Sequence, residues 1–318
     1  MKRLLCTLLL ATPLLASVAL AQSYPAKPIR LLLPYPVGGT TDFIARMIQN
    51  KLQENLGQQV LIENRSGAGG TIGTAEAARA APDGYTLLMV FDTHATNHHL
   101  FKSAPDPFKQ LDHISLMVTS PSALVAVTSF APNNLREVVA YAKANPERVT
   151  YATPGSGSSN HLAALVLERH GGIKMTQIPY TGGGPMITAL LSQQVSISFF
   201  SMPPMLPHIK AGKVKPIAVG ARKRVPQLPD VPTLSETYPG FEQVSWFGIL
   251  GPAGLPKEVI TRVHRDMVRT LQAPEVRDKL VEGGFEIMAS TPEEFLRFAR
   301  AESERLGKVI REANLKVE

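Results

Sequence analysis

The feature that most constrains this chain is an apolar strand that runs through a Gly-Gly turn directly into a helix, within residues 31–46. The turn contains Gly38 and Gly39, and the helix is predicted to begin near Thr40. Backbone N–H groups at such a junction point outward, and the helix dipole adds partial positive charge. The junction therefore predicts a binding site for an anion, most simply a carboxylate or a phosphate.

The N-terminus has the pattern of an export signal. Two basic residues precede an apolar stretch at 4–20, and Ala19-Leu20-Ala21 fits an A-x-A cleavage site. A retained membrane anchor is the alternative, but the apolar stretch is short for a spanning helix and contains Pro13. We therefore expect residues 1–21 to be a cleaved signal peptide.

Composition narrows the possible chemistry of the mature protein. Cys6 is the only cysteine and lies within the predicted signal peptide, so no disulfide or thiolate chemistry is expected after cleavage. Loss of Lys2 and Arg3 lowers the formal net charge from +7 to +5. The charges are scattered and the only basic run, at 222–224, is short. Nucleic-acid binding requires a larger basic face, so we expect no nucleic-acid partner.

The order of apolar segments predicts an α/β protein. Strands alternate with helices in both halves of the chain, which favours parallel sheets. Each half contains a glycine loop between a strand and a helix, and ligands of such sheets bind at the carboxyl ends of the strands. The pattern therefore predicts two lobes with a cleft between them. Trp246 and Phe247, beside a predicted crossover strand, are interpreted as core or hinge residues.

Three further glycine loops either bind a ligand or only connect a strand to a helix. The loop 155–160 offers free N–H groups and short hydroxyls just before a helix, so it could hold an anion together with the first loop. The loop 180–185 is also a glycine loop between a predicted strand and a predicted helix. The loop 66–73 resembles a dinucleotide fingerprint, but Ile72 stands where glycine is required, and we interpret this loop as structural. Plain turns stay the alternative for the first loop and for 180–185.

Signatures of enzymes are missing from the sequence. It contains neither a G-x-S-x-G elbow nor a G-x-x-x-x-G-K-[ST] loop. The histidine-rich segment 92–99 is the only metal-like cluster, and a structural or ligand-lining role is favoured over metal binding there. The enzymatic alternative is an exported hydrolase that uses Ser156 or Ser158 with His94 or His161. The sequence favours solute capture without catalysis and without a cofactor.

Short motifs follow one another along nearly all of the mature chain, at 34–46, 63–70, 83–88, 155–162, 179–185, 207–213, 228–233 and 291–295. In this order the chain resembles the substrate-binding receptors of tripartite tricarboxylate transporters, the Bug-type periplasmic binding proteins. The resemblance implies a type II periplasmic-binding-protein fold, with two α/β lobes joined by two crossover strands. We expect residues 22–123 and 247–318 to form lobe 1, and residues 124–246 to form lobe 2.

The resemblance also implies a function. A small organic carboxylate (a di- or tricarboxylate, an aromatic acid or an acidic amino acid) would bind in the cleft of a monomeric periplasmic receptor. The receptor would deliver it to the membrane permease of a tripartite tricarboxylate transporter. A ligand sensor that serves a signalling partner is the alternative. In the family, backbone N–H groups of the first loop hold the carboxylate and the second loop closes from the other lobe. The candidate ligand-binding residues are Tyr35, Val37, Gly38, Gly39, Thr40, Thr41, Asp42, Asp92, Thr93, Gly155, Ser156, Gly157, Ser158, Asn160, Tyr180, Thr181, Gly182 and Ser201.

The chain departs from the family pattern at positions near the expected pocket. Tyr35-Pro36-Val37 stands where the family usually has a pair of prolines, and Ser196 stands where it usually has an acidic residue. Asp92 replaces a small or neutral residue. It would receive a ligand ammonium or hydroxyl group, or cap a turn, and the turn is favoured. These departures leave the ligand open.

Overall fold

Strands and helices alternate through residues 24–315, the part of the chain that this computed structural model describes. The predicted signal peptide and Cys6 lie outside these residues. The strands are β1 (Ile29–Leu33), β2 (Val60–Asn64), β3 (Thr86–Phe91), β4 (Leu111–Val127), β5 (Thr150–Thr153), β6 (Thr176–Pro179), β7 (Ile197–Ser201), β8 (Val214–Val219), β9 (Val244–Pro252) and β10 (Glu286–Ile287).

The helices separate and follow these strands. They are α1 (Thr40–Leu56), α2 (Thr71–Ala78), α3 (Asn97–Leu100), α4 (Leu135–Ala144), α5 (Ser159–Gly171), α6 (Gly183–Leu191), α7 (Met202–Lys210), α8 (Leu234–Thr237), α9 (Lys257–Gln272), α10 (Pro274–Glu282) and α11 (Pro292–Glu312), with 3-10 turns at Ala68–Gly70 and Asp92–Ala95. Within residues 24–315, no helix combines the length and the apolarity needed to cross a membrane.

Two sets of parallel strands lie at opposite ends of one sheet, in the order β2-β1-β3-β9-β4-β7-β5-β6. β1 pairs in parallel with β2 and β3, and β5 pairs in parallel with β6 and β7. The antiparallel strands β9 and β4 stand between the two sets. The predicted α/β architecture with two lobes and two crossover strands is therefore confirmed.

The crossover strand β4 belongs to both lobes. Its residues 111–121 pair with β9, whereas residues 122–127 pair with β7 and β8. At the transition, the Ser122 N–H donates to Gln243 O, the Gln243 N–H donates to Gly220 O, and the Gly220 N–H donates to Ser122 O. This closed ring of backbone hydrogen bonds ties the two segments that pass between the lobes, at Ser122 and Gln243, to the end of β8 in lobe 2. The lobe boundaries expected at 123/124 and 246/247 stay a prediction.

Each lobe has its own apolar core. In lobe 1, helices α1 and α9 bury their apolar faces against β1, β3 and β9. In lobe 2, α4, α5 and α6 cover strands that are apolar on both faces, as expected for parallel strands between helices. Trp246 and Phe247 on β9 are fully buried, which confirms their interpretation as packing residues.

The C-terminal helix α11 spans both lobes. Thr291 and Glu294 form a capping box at its start, as the sequence pattern predicted. Phe295 packs into the lobe 1 core, whereas Leu306 and Ile310 form a small cluster with Leu100 of lobe 1 and Leu162 of lobe 2. The helix therefore holds the closed arrangement of the two lobes by apolar contact.

Glycine at position 220 is required by the close approach of backbones at the crossover. A Cβ there would lie 2.1 Å from the carbonyl oxygen of Gln243. We therefore expect Gly220→Ala to lower the free energy of unfolding by about 1–3 kcal/mol, the usual effect of overpacking. The matched control is Gly184→Ala in α6, where a Cβ would meet nothing within 4 Å. Its effect should stay within about 0.5 kcal/mol.

Unfolding in guanidinium chloride, followed by circular dichroism on ligand-free protein, measures both variants. Equal midpoints for the two variants would contradict the tight crossing. A changed slope for Gly220→Ala would indicate that the lobes no longer unfold together.

Candidate functional site

A cavity of about 470 Å³ lies between the lobes at the carboxyl ends of β1, β3, β5 and β7. Among the described residues, no Asp, Glu, Lys, Arg or His side chain lines it. The candidate residues that do line it are Tyr35, Gly39, Thr40, Thr41, Thr93, Gly155, Ser156, Ser158, Asn160, Thr181, Gly182 and Ser201. The structure thus brings residues from both predicted glycine loops, and from the loop 180–185, to one cavity.

The first loop is fixed from within by Asp42. Its Oδ2 accepts hydrogen bonds from the Gly38 N–H at 3.1 Å and from Arg46 Nε at 2.9 Å. Burial opposes ionisation of this carboxyl, but the bonds from Arg46 and Gly38 outweigh burial and lower its pKa. Gly38 has φ +83°, a conformation that favours glycine. Asp42 therefore stabilises the turn through these hydrogen bonds, and its side chain does not line the cavity.

The N-termini of α1 and α6 meet across the cleft. A Cβ at Gly183 would lie 3.7 Å from Gly39 Cα, and a Cβ at Gly182 would lie 2.4 Å from Pro36 Cγ. Within residues 24–315, the N–H groups of Thr40, Thr41 and Asp42 have no hydrogen-bond acceptor, and neither have those at 181–184. The first turns of two helices therefore present unshared donors to the same space.

A direct hydrogen bond links the lobes beside these donors. Thr40 Oγ1, at the start of α1, lies 2.8 Å from Ser201 Oγ, at the start of α7. Gly157 packs against Leu100 on the other side of the cleft, where a Cβ would lie only 2.0 Å from Leu100 Cδ1. These contacts define a closed arrangement of the lobes.

The second loop uses most of its side-chain donors internally. The Ser158 hydroxyl donates to Gly155 O and caps α5 by accepting from the His161 N–H. The Gly157 N–H donates to His161 Nδ1, and the Asn160 amide donates to Phe199 O. The loop therefore offers the cavity mainly the backbone N–H groups of Ser156 and Asn160.

Tyr35 turns its ring, and not its hydroxyl, to the ligand space. Its hydroxyl shares a 2.8 Å hydrogen bond with Thr93 Oγ1 and accepts from the Phe91 N–H at 3.2 Å. Burial raises the pKa of this phenol far above its usual value. The ring meets Phe91 edge to face, with centroids 6.1 Å apart. Tyr35 thus supplies an apolar wall to the cavity.

Asp92 is buried and does not line the cavity. Its side chain is 2% exposed, and neither carboxyl oxygen forms a hydrogen bond within the described part of the chain. Burial raises its pKa well above the usual range, and the nearby hydroxyls of Ser159 and Ser245 offset this only in part. Burial therefore favours the neutral form of this carboxyl. It begins the 3-10 turn Asp92–Ala95, in agreement with the favoured interpretation as a turn residue.

The remaining candidate residues lie around the cavity but not on its surface. Val37 is 64% exposed beside the first loop. Gly38 and Gly157 have their N–H groups bound to Asp42 and His161. Tyr180 packs against the lobe 2 core. Their roles in binding stay predictions.

Sequence reasoning missed one wall of the cavity. The loop 66–73 was interpreted as structural, yet Ser66 to Gly70 line the ligand space. A Cβ at Gly70 would lie 3.0 Å from the Tyr35 ring, and one at Gly69 would lie 3.4 Å from the Phe101 ring. The glycines allow this backbone to lie against aromatic rings. The further lining residues missed by the sequence analysis include Phe91, Asn97, Phe101, Met186 and Phe200.

The histidine-rich segment packs under α11. His94 contacts His113 at a centroid distance of 5.5 Å, and His98 and His99 both lie within hydrogen-bond distance of the Ser303 hydroxyl. Burial lowers the pKa of His98 and of His113 to about 4. In the described residues, no group of three or more His, Cys, Asp or Glu side chains could hold a metal ion. These rings are packing residues.

The structure does not form the serine–histidine pairs of the hydrolase alternative. The Ser156 hydroxyl contacts Gln177, and the His161 ring accepts from a backbone N–H. His94 lies among His113 and Trp246.

The fold and this uncharged cleft are those of a solute receptor, and comparison with known proteins identifies the family. The profile described as "Tripartite tricarboxylate transporter family receptor" matches residues 44–315. The protein BugT of Bordetella pertussis is 33% identical over 323 residues, which cover 100% of this chain and 99% of BugT. The chain therefore belongs to the family of tripartite tricarboxylate transporter receptors.

Solved structures of similar proteins share the fold over most of the chain. The periplasmic binding protein BugD superposes with a TM-score of 0.87 at 33% identity and covers 92% of this chain. A Rhodopseudomonas palustris protein solved with adipate has a TM-score of 0.88 at 31% identity over 92% of this chain. MatC of the same organism, with bound malate, has a TM-score of 0.86 at 32% identity over 90%. Each of these structures is covered completely by the alignment.

Ionisation of Asp92 should destabilise the fold, which gives a testable dependence on pH. Below about pH 4 the carboxyl is protonated in both states. As the pH rises, the unfolded chain loses this proton while the folded protein keeps it to higher pH, so the free energy of unfolding falls with pH. Asp92→Asn removes this loss. We expect the variant to gain stability over the natural protein between pH 4 and pH 7.

Denaturant titrations at several pH values measure this difference. The control is Asp106→Asn, at a carboxyl whose burial is outweighed by hydrogen bonds from the Phe108 N–H and Lys109, which lower its pKa. That variant should lose stability at pH 7 and approach the natural protein in acid. A pH-independent effect of Asp92→Asn would show that the pKa of Asp92 is the same in the folded and unfolded states and would contradict the raised pKa.

Proposed function

We propose that the protein is a periplasmic receptor that binds a small organic carboxylate in this cleft and delivers it to a membrane permease of the tripartite tricarboxylate type. The observation that carries the proposal is the meeting of α1 and α6 across the cleft. Among residues 24–315, their first turns present N–H groups without acceptors to a cavity that no charged side chain lines. Such donors stabilise an anion without the desolvation of a cation.

The donors favour a carboxylate that bridges the lobes. Gly39 and Thr40 belong to lobe 1, whereas Gly182 and Gly183 belong to lobe 2, so one ligand can accept hydrogen bonds from both. A ligand that contacts both lobes binds the closed state more tightly than the open state and shifts the population towards closure. The permease would then distinguish the loaded receptor by its closed shape.

The relatives support the same class of ligand. Two neighbours of nearly the same fold were solved with adipate and with malate, both dicarboxylates. The neighbour BugD is a periplasmic protein. We propose the same compartment for this chain after cleavage near residue 21, and a monomer as the binding unit. The candidate residues on the cavity surface would form the carboxylate site.

Carboxylates should stabilise the protein against heat. A ligand at one hundred times its dissociation constant adds about 2.7 kcal/mol to the free energy of unfolding. The panel contains malate, citrate, adipate, glutamate and aromatic acids, each paired with its uncharged amide as a control. We expect at least one acid to raise the melting temperature and its amide to leave the melting temperature unchanged.

Bound ligand must first be removed. Unfolding in guanidinium chloride and refolding after dialysis frees the cleft, and native mass spectrometry verifies that the protein is empty. If no carboxylate of the panel shifts the melting temperature of the empty protein, the proposed function is wrong.

The hydrogen bond between Thr40 and Ser201 should contribute to ligand affinity through closure. Thr40→Val preserves the shape of the side chain and removes its hydroxyl, which should cost the closed state about 1 kcal/mol. Carboxylate binding should weaken about fivefold. Ser201→Ala should have a similar effect, and the double variant should bind no more weakly than either single variant.

Isothermal titration calorimetry with an acid that binds the natural protein measures this cycle. Thr188→Val, which removes an exposed hydroxyl bonded only to Gly184 O of its own helix, is the control and should bind normally. Additive effects of Thr40→Val and Ser201→Ala would contradict a bond between lobes in the liganded state.

A further inference from the structure

We infer that the preferred ligand of this receptor is a carboxylate with a bulky apolar body, such as an aromatic ring, rather than a compact hydroxy-dicarboxylate. The inference rests on the proposed function and specifies its substrate class. If the N–H donors of α1 and α6 bind the carboxylate, the rest of the ligand lies against the other cavity walls. The inference depends on the apolar side chains of those walls.

Aromatic rings form the lobe 1 wall. Phe101 lies against the backbone of Gly69, and Tyr35 lies against Gly70. Phe91 stands between Tyr35 and the core residue Phe247, with centroids 6.1 and 5.1 Å away. Since the Tyr35 hydroxyl is bound to Thr93 and to the Phe91 N–H, this residue too offers its ring. The wall therefore presents aromatic faces and edges to the ligand.

Lobe 2 also contributes apolar groups to the cavity. Met186 of α6 and Phe200 of β7 both line the cavity and are otherwise buried in the lobe 2 core. The prolines Pro203 and Pro204 in the first turn of α7 remove two N–H groups that another helix would offer there. A hydroxyl of a ligand would find the Ser158 and Asn160 side chains already hydrogen-bonded within lobe 2.

The size of the cavity also favours a ligand with a bulky apolar body. Its volume of about 470 Å³ lies in the range of sites for drug-sized molecules. A four-carbon dicarboxylate would leave much of this space to water held against apolar walls. A ring of six carbons removes that water and contacts Phe101 and Met186. Burial of apolar surface, and not additional hydrogen bonds, would then set the ligand preference of this chain.

Competition between matched acids tests the inference. Isothermal titration calorimetry on the emptied protein compares 3-phenylpropionate with malate and citrate, and 3-phenylpropionamide reports whether the charge is needed. We expect 3-phenylpropionate to bind at least about tenfold more tightly than malate, with a negative heat-capacity change. The amide should not bind measurably.

The variant Phe101→Ala tests the wall directly. It should weaken binding of 3-phenylpropionate by about tenfold and change malate binding by less than about threefold. Phe101→Leu keeps the apolar volume and should retain most of the affinity, which guards against a folding defect. The control is Phe43→Ala, the same change at a 48% exposed side chain away from the cavity, and it should bind as the natural protein does.

The outcomes distinguish a failure of the ligand preference from a failure of the proposed receptor function. If malate or citrate binds more tightly than 3-phenylpropionate, the apolar preference is wrong and the carboxylate receptor stands. If Phe101→Ala weakened the binding of 3-phenylpropionate and of malate equally, the apolar preference would also be wrong. If none of the carboxylates binds, the proposed function fails together with the inference.

Discussion

The close approach of two backbone loops is the constraint on which the binding site depends. Gly39 at the start of α1 and Gly183 at the start of α6 face each other with room for little more than a Cβ between them. Only loops without bulky side chains can bring the first turns of two helices so near one ligand. The N–H groups of both turns then act as one set of donors, although they belong to different lobes. Larger side chains on these two residues would separate the donors before they changed any other part of the fold.

The crossover connects the two sets of donors. β4 pairs with lobe 1 up to Pro121 and with lobe 2 from Ser122, so a small change of backbone angles there would move one donor set relative to the other. The ring of hydrogen bonds among Ser122, Gly220 and Gln243 ties the backbone together at this transition. The helix α11 adds a contact that favours closure, since Leu306 and Ile310 pack against both lobes. The closed state is thus held partly by the protein, and the ligand needs to supply only the remaining difference in free energy.

Sequence patterns predicted the repeating elements well and the irregular ones poorly. Periodic apolar residues and the Asn134 cap mark α4 in the sequence, and a short apolar run marks β8. The apolar run at 124–127 is only the end of the 17-residue β4, because the first part of this strand pairs in the other lobe and its pattern changes face at two irregularities. Helix α10 was not predicted. In the site, glycine loops identified the donors, whereas the loop 66–73 and the Phe101 ring were missed because their place in the cavity depends on long-range packing.

The absence of charged side chains from the described cavity separates affinity from selectivity. Backbone donors recognise any carboxylate, so evolution can change the ligand by changing the walls without touching the anion site. Asp92, a carboxyl buried between the lining residues Phe91 and Thr93, illustrates the cost of the opposite strategy, since burial raises its pKa well above the usual range. An arginine in the wall would similarly lose hydration when the lobes close, and a pair of charges would have to compensate for that loss. Neutral walls avoid the penalty, and in this chain they combine aromatic and aliphatic side chains with glycines, hydroxyls and amides. The ligand preference is therefore determined by shape and by apolar contact around a fixed set of N–H donors.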